Sequence, residues 1–299
     1  KIIFKTDFEV KSNALNLELL NYTKKKGTKS NLIIEGAVNK NNSVFLNKIN
    51  FSESKNFIKV KNINLNSTKK IKRIDQINVD LVNNNDQISQ LNIKRKKSNY
   101  SVNSKIFDGT KILDRILFSK SDGNFLDVFE KLNSKITINF NTIYITNEDY
   151  LTNFKADIIV NNNQIKDLIL SSQFSTKEDL KLSIKTNSNN ERITDLFAGN
   201  AKPLVKKYDF IKGFEGGYLK FDSIEKNKVS NSNLKIFDFK LKEVPALTKL
   251  LTLASLQGIA DLLTGEGIRF NEFEMIFNNK DGLMTIEEIY SLGPSISIL

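Results

Sequence analysis

Apolar and polar residues alternate with a period of two along most of this chain. That pattern suits a half-buried β-strand and not a helix. Ile136, Ile138 and Phe140 alternate with Lys135, Thr137, Asn139 and Asn141. The phase then slips by one residue and Ile143 and Ile145 continue it, which predicts a bulge or a tight bend. Phe154, Ala156, Ile158 and Val160 form another set, and Leu180, Leu182 and Ile184 a third. Upstream, Ile58 and Val60 alternate with Lys, and Ile77, Val79 and Leu81 with Asn and Asp. Polar turns such as Asn83-Asn84-Asn85-Asp86 and Asn161-Asn162-Asn163 separate the runs, at a spacing that favours long antiparallel meander strands.

Helical signals are few. Asp108–Phe118 carries Ile112, Leu113, Ile116 and Leu117 at helical spacing, with Asp108 as its cap. Asp127–Leu132 reads as a further helical turn, and Glu191–Ala198 as a short helix closed by Gly199. The strongest is Pro245–Leu263, opened by a proline that needs no intrahelical N–H partner and closed by Gly265 and Gly267. The pattern changes near residue 187, which suggests one region over 1–187 and a second over 188–299. The chain starts at Lys1 and ends in a strand-like Ser295-Ile296-Ser297-Ile298-Leu299, so we read it as a piece of a longer protein.

Composition removes several chemistries. The chain has no His, Cys or Trp. Ser-His-Asp and Cys-His nucleophile systems, zinc sites with His or Cys ligands and disulfides are all excluded. Carboxylates alone remain, and the adjacent pair Glu287-Glu288 should point to opposite faces of a strand. Net charge is +11, but the cations are dispersed Lys, with Arg only at positions 73, 95, 115, 192 and 269. Arg is the preferred reader of phosphate and base edges, so a solvated Lys-rich surface fits better than a nucleic-acid interface. No run of about 18 uncharged apolar residues suggests a membrane-spanning helix.

One stretch carries a family resemblance. Residues 244–277, from Val244-Pro245-Ala246-Leu247 through Ser255-Leu256-Gln257-Gly258 to Leu263-Thr264-Gly265-Glu266-Gly267-Ile268-Arg269-Phe270, resemble the C-terminal region of the AsmA-like superfamily, specifically its YhdP-type proteins of Gram-negative bacteria. Asp281-Gly282-Leu283, Ser291-Leu292-Gly293-Pro294 and Phe210–Leu219 extend the likeness over about residues 190–299. The resemblance implies a mainly β fold: a long, curved antiparallel sheet with an apolar groove (a β-taco), few short helices and one C-terminal amphipathic to apolar helix. It further implies a periplasmic body, anchored to the inner membrane by an N-terminal helix outside this sequence. It implies non-enzymatic, bridge-type transport of phospholipid between inner and outer membranes in support of outer-membrane biogenesis, with no cofactor, metal or catalytic residue and no nucleic-acid partner.

On that expectation the groove lining is Ile136, Ile138, Phe140, Phe154, Ile158, Val160, Leu180, Leu182 and Ile184, which would meet phospholipid acyl chains. Leu247, Leu250, Leu251, Ala254, Ile259 and Leu262 would form a helix that covers or gates the groove end. Lys249 and Asp261 make it a poor membrane span. Periodicity alone leaves a closed two-sheet sandwich open, with the same residues packed in its core. A periplasmic scaffold working through contacts with membrane-protein partners is the alternative role.

Overall fold

The computed structural model describes residues 1–112, 125–208, 212–242, 267–294 and 297–298. The predicted helix Pro245–Leu263, with all six of its candidate groove-end residues, lies outside them. The chain is mainly β and mostly antiparallel, as expected, and divides into two compact units, Lys1–Leu168 and Ile169–Leu299. The division falls within β12 (Gln164–Phe174); Asn187–Asn190, where the sequence pattern changes, is a hairpin turn inside the second unit.

In the first unit the strands are β1 (Ile2–Glu9), β2 (Leu15–Leu17), β3 (Tyr22–Lys24), β4 (Asn31–Val38), β5 (Val44–Glu53), β6 (Asn56–Leu65), β7 (Ile71–Val82), β8 (Ile88–Lys96), β9 (Asn99–Asp108), β10 (Ser134–Tyr144) and β11 (Tyr150–Asn161). β1 pairs with β4, and each strand from β4 to β11 pairs with the next. All these pairs are antiparallel except β9–β10, where the chain crosses over before returning. β2 and β3 form a separate small hairpin. Apart from that hairpin, the described strands of this unit belong to one open sheet, so the two-sheet sandwich does not describe it. The crossover into β10 passes the start of β7, where Glu130 N–H donates to Ile71 O (2.8 Å).

The second unit contains β13 (Asp179–Thr186), β14 (Arg192–Ala198), the short helix α1 (Lys202–Tyr208), β15 (Phe214–Lys226), β16 (Val229–Leu241), β17 (Ile268–Lys280), β18 (Leu283–Leu292) and β19 (Ser297–Ile298). Its strands pair antiparallel in chain order. β14 corrects the sequence reading of a helix over Glu191–Ala198. So short a segment cannot sustain an isolated helix, and strands on both sides supply hydrogen bonds to this one. The turn expected over Asp127–Leu132 is a 3-10 helix at Phe125–Val128, which begins and ends earlier in the chain. Asp108 does accept the N–H of Thr110 (3.0 Å), where a helical segment starts.

The Asn-rich turns have a common design. In Asn39–Ser43, Asn66–Lys70, Asn83–Gln87 and Asn187–Glu191 the first N–H donates to the last carbonyl, and the fourth residue has a positive φ. This is a type I turn followed by a left-handed residue, a standard hairpin closure. The Asn83 and Asn187 side chains each accept two further backbone N–H groups, which rewards Asn in that place.

The predicted phase slip in β10 is real and recurs in both units. Register resumes unshifted after one skipped pair at Asn47/Asn62, Asn62/Asp75, Lys105/Asn141 and Asn141/Asn153, and likewise at Gly217/Asp238 and Asp238/Asn271. Asn62, Asn153, Gly217 and Asp238 have positive φ there. At a skipped pair both strands spend one extra residue, so pairing continues while the side-chain alternation flips. In the first unit the set in β5–β7 lies on one side of the Val60–Ile77–Ile93–Val102–Ile138 row and the set in β9–β11 on the other. The inward apolar set in β6 passes from Ile58 and Val60 to Ile63; in β10 from Phe140 to Ile143; in β16 from Ile236 to Phe239. A crease results, with the apolar side kept on one face.

Candidate functional site

Register turns isolated apolar residues into rows. In the first unit Ile34, Ile49, Val60, Ile77, Ile93, Val102, Ile138 and Ala156 are successive partners across β4–β11. All but buried Ala156 are half-buried. At a strand spacing of about 4.8 Å this apolar stripe runs about 33 Å across the sheet. The second unit has its own: Leu182, Leu196, Phe221, Leu234, Met275 and Ile289 are successive partners across β13–β18, about 24 Å in all. Those residues are half-buried, except Ile289, which is more exposed.

The nine candidate groove residues divide accordingly. Ile138 and Leu182 lie in the two stripes. Ile136, Ile158 and Val160 pack with Leu126, Phe129 and Leu132, so the 125–132 connection closes that end of the first sheet. Phe140 is buried, between Phe107 (ring centroids 5.4 Å) and half-buried Phe154 (5.8 Å). Leu180 is buried beside Ala198, whereas Ile184 is half-buried opposite Thr194. Core packing thus holds Phe140, Val160 and Leu180, and the stripe offers accessible apolar surface at Ile138 and Leu182.

Sequence reasoning missed most stripe members, including Ile34, Ile93, Phe221, Leu234 and Met275. Each reads as one more strand residue, and only the turn lengths that set register align them.

Beyond the crease, the second unit is packed shut. Phe214, Phe239 and Phe270 stack at 5.1 and 5.0 Å between centroids and are buried, as are Leu241 and Ile268. Val205 of α1 is buried, and Ala201 N–H donates to Gly217 O, tying the helix start to the crease. Gly217 is required there: a Cβ would lie 2.8 Å from Phe237 O and 2.9 Å from Phe239 Cβ.

The opposite face is polar and ionic. Lys235 bridges Glu274 (3.0 Å), which holds that carboxyl below its ordinary range and lifts the ammonium above its own. Asp222 stands opposite Asp195; partial burial first, and that like charge second, push its carboxyl up. A cavity of about 660 Å³ opens on the polar face of the first unit, lined by Lys59, Asn78, Asp80, Gln90, Asn92 and Lys105 among others. Phe57 also lines it, and its polar side chains bond one another, as Gln90 does Asp80 and Asn92 does Asn78. Glu287 sits at a bulge and accepts from Asn278 Nδ2 (2.8 Å). Among the described residues no group of three or more carboxylates is arranged to hold a metal ion, and no helix is long and apolar enough to cross a membrane.

Comparison with family models, curated proteins and solved structures gave no match.

Proposed function

We propose that the chain carries lipid acyl chains along its apolar stripes, as a non-enzymatic bridge for phospholipid between the inner and outer membranes. The observation that supports this reading most is the first stripe: eight strands place apolar side chains in one row and leave nearly all of them half-buried. An acyl chain spans about half the roughly 30 Å hydrocarbon core of a bilayer, so a row of about 33 Å has room for its whole length. Each CH₂ kept out of water there is worth about 0.8 kcal/mol. A row of equivalent sites offers no deep minimum, so a chain can move along it. Headgroups stay in water and require no dedicated pocket. The likeness of residues 190–299 to YhdP-type proteins points the same way and motivates the periplasmic setting.

The test is lipid extraction and mass spectrometry of the purified protein, wild type beside Ile138→Arg and Leu182→Arg. Both variants should stay folded, because an arginine can snorkel from a half-buried position, and both should lose lipid. Ile236→Arg, at a fully buried neighbour of the second stripe, should unfold its unit. Absence of lipid from the wild type, with a stable protein partner in its place, would favour the scaffold role.

A further inference from the structure

Residues 11–29 leave the first sheet between β1 and β4 and return to it as a closed loop. Its neck is one backbone pair: Val10 N–H donates to Ser30 O (2.8 Å), and Ser30 Oγ donates to Val10 O (2.9 Å). Inside, the loop holds itself together. The Lys24 side chain is fully buried and donates to the carbonyls of Asn13 (2.8 Å), Lys25 (3.2 Å) and Lys11 (3.4 Å). Gly27 N–H donates to Lys11 O, and β2 pairs with β3. Loops closed at the neck and packed on their own side chains behave as compact surface units.

Toward the sheet the loop presents only apolar groups and a few hydrogen bonds. Leu15, Leu17, Leu20 and Tyr22 pack with Phe51, Val79 and Leu81, a cluster that Ile77 of the stripe also borders; Phe51, Ile58, Val79 and Leu91 are the row next to the stripe on the same face. Asn21 Nδ2 donates to Asp108 (2.8 Å), Tyr22 Oη to Glu53, and Thr23 N–H to Asn84 Oδ1 (3.0 Å). Buried Asp108 also accepts from Asn83 Nδ2 (2.6 Å) and Thr110 Oγ1 (2.6 Å), so this end of the latch stays satisfied when the loop lets go.

We infer that residues 11–29 are a lid: the loop occupies the apolar face of the first unit when lipid does not, and swings on its Val10/Ser30 neck to admit an acyl chain. The inference rests on the carrier reading above. The loop covers the row beside the stripe, so a lipid whose second acyl chain lies along that row must displace it, and lid opening sets the rate of loading.

A chain without cysteine allows a clean test. Thr23 is half-buried, Asn84 is exposed and their side chains touch (3.2 Å), so Thr23→Cys with Asn84→Cys places a single disulfide across the latch. Uptake of a fluorescent phospholipid from phosphatidylcholine vesicles should be at least about tenfold slower in the oxidised protein and recover on reduction. Amide hydrogen exchange of the lipid-free wild type should be at least about tenfold faster in residues 12–29 than in β6, and the disulfide should remove that difference. Asn21→Ala should speed uptake severalfold. Equal exchange of lid and β6, or equal uptake by oxidised and reduced protein, overturns the lid. No uptake in any form overturns the carrier reading, while exchange still decides whether the loop opens.

Discussion

The two units solve one problem with different materials. Both carry creases where paired strands each spend one extra residue; they flank the apolar stripe on both sides in the first unit and lie on one side of it in the second. In the first unit the stripe is mostly Ile and Val, one crease turns on Asn62 and another on Asn153, and a loop of the chain covers the adjoining row. In the second the stripe is Leu, Phe and Met, the crease turns on Gly217 and Asp238, and stacked phenylalanines fill the far side. Short polar residues tolerate the left-handed conformation where space allows, and glycine is needed only where the phenylalanines crowd the backbone. Aromatic stacking seals apolar surface, whereas a single row of half-buried side chains leaves it available.

The largest effect that separates the units should come from Asp108→Ala. It strips a fully buried acceptor from Asn21, Asn83 and Thr110. We expect a loss of at least about 3 kcal/mol, confined to the first unit. Urea unfolding should then show an early transition that exposes residues 1–168 to limited proteolysis and leaves the second unit intact. A single unchanged transition would mean the units unfold as one. Next, Gly217→Ala should cost the second unit about 1–3 kcal/mol, because the left-handed backbone and the two short Cβ contacts both resist it. A normal melting curve for this variant would show that the crease can relax.

The smallest effect concerns the polar face. The folded-state carboxyl of Asp222 is raised above its ordinary 3.8, so its stabilising contribution is complete below that value and is lost as pH rises through the raised one. Asp222→Asn should therefore stabilise the second unit at neutral pH, by no more than about 0.5 kcal/mol after solvent screening, and do nothing at about pH 3. Melting temperatures at the two pH values check this, and an equal shift at both would assign the gain to something other than charge.

Much of this was legible in the sequence because strand alternation survives a strong Lys and Asn bias. The slip between Phe140 and Ile143 announced the crease, and Ile138 and Leu182 proved to be stripe residues. The stripes themselves were not legible, since they depend on which residue of one strand meets which residue of the next. Glu191–Ala198 reads like a helix until its two neighbouring strands are in place. The lid hides for another reason: its anchors, Asp108 and Glu53, are distant in sequence, and a buried Lys24 held by three carbonyls has no local signature.

The crease has a consequence for how such sheets assemble. Strands of alternating Ile, Val, Lys and Asn look much alike, and a slip of two residues would keep every apolar side chain on the correct face. The left-handed residue breaks that degeneracy. A strand that pairs out of step sets its extra residue against a partner with none to spare, and half its side chains then face the wrong way. Asn62 in β6, Asn153 in β11 and Asp238 in β16 thus serve as alignment marks, by which nearly repetitive strands find the one register that lines up the apolar row within each unit.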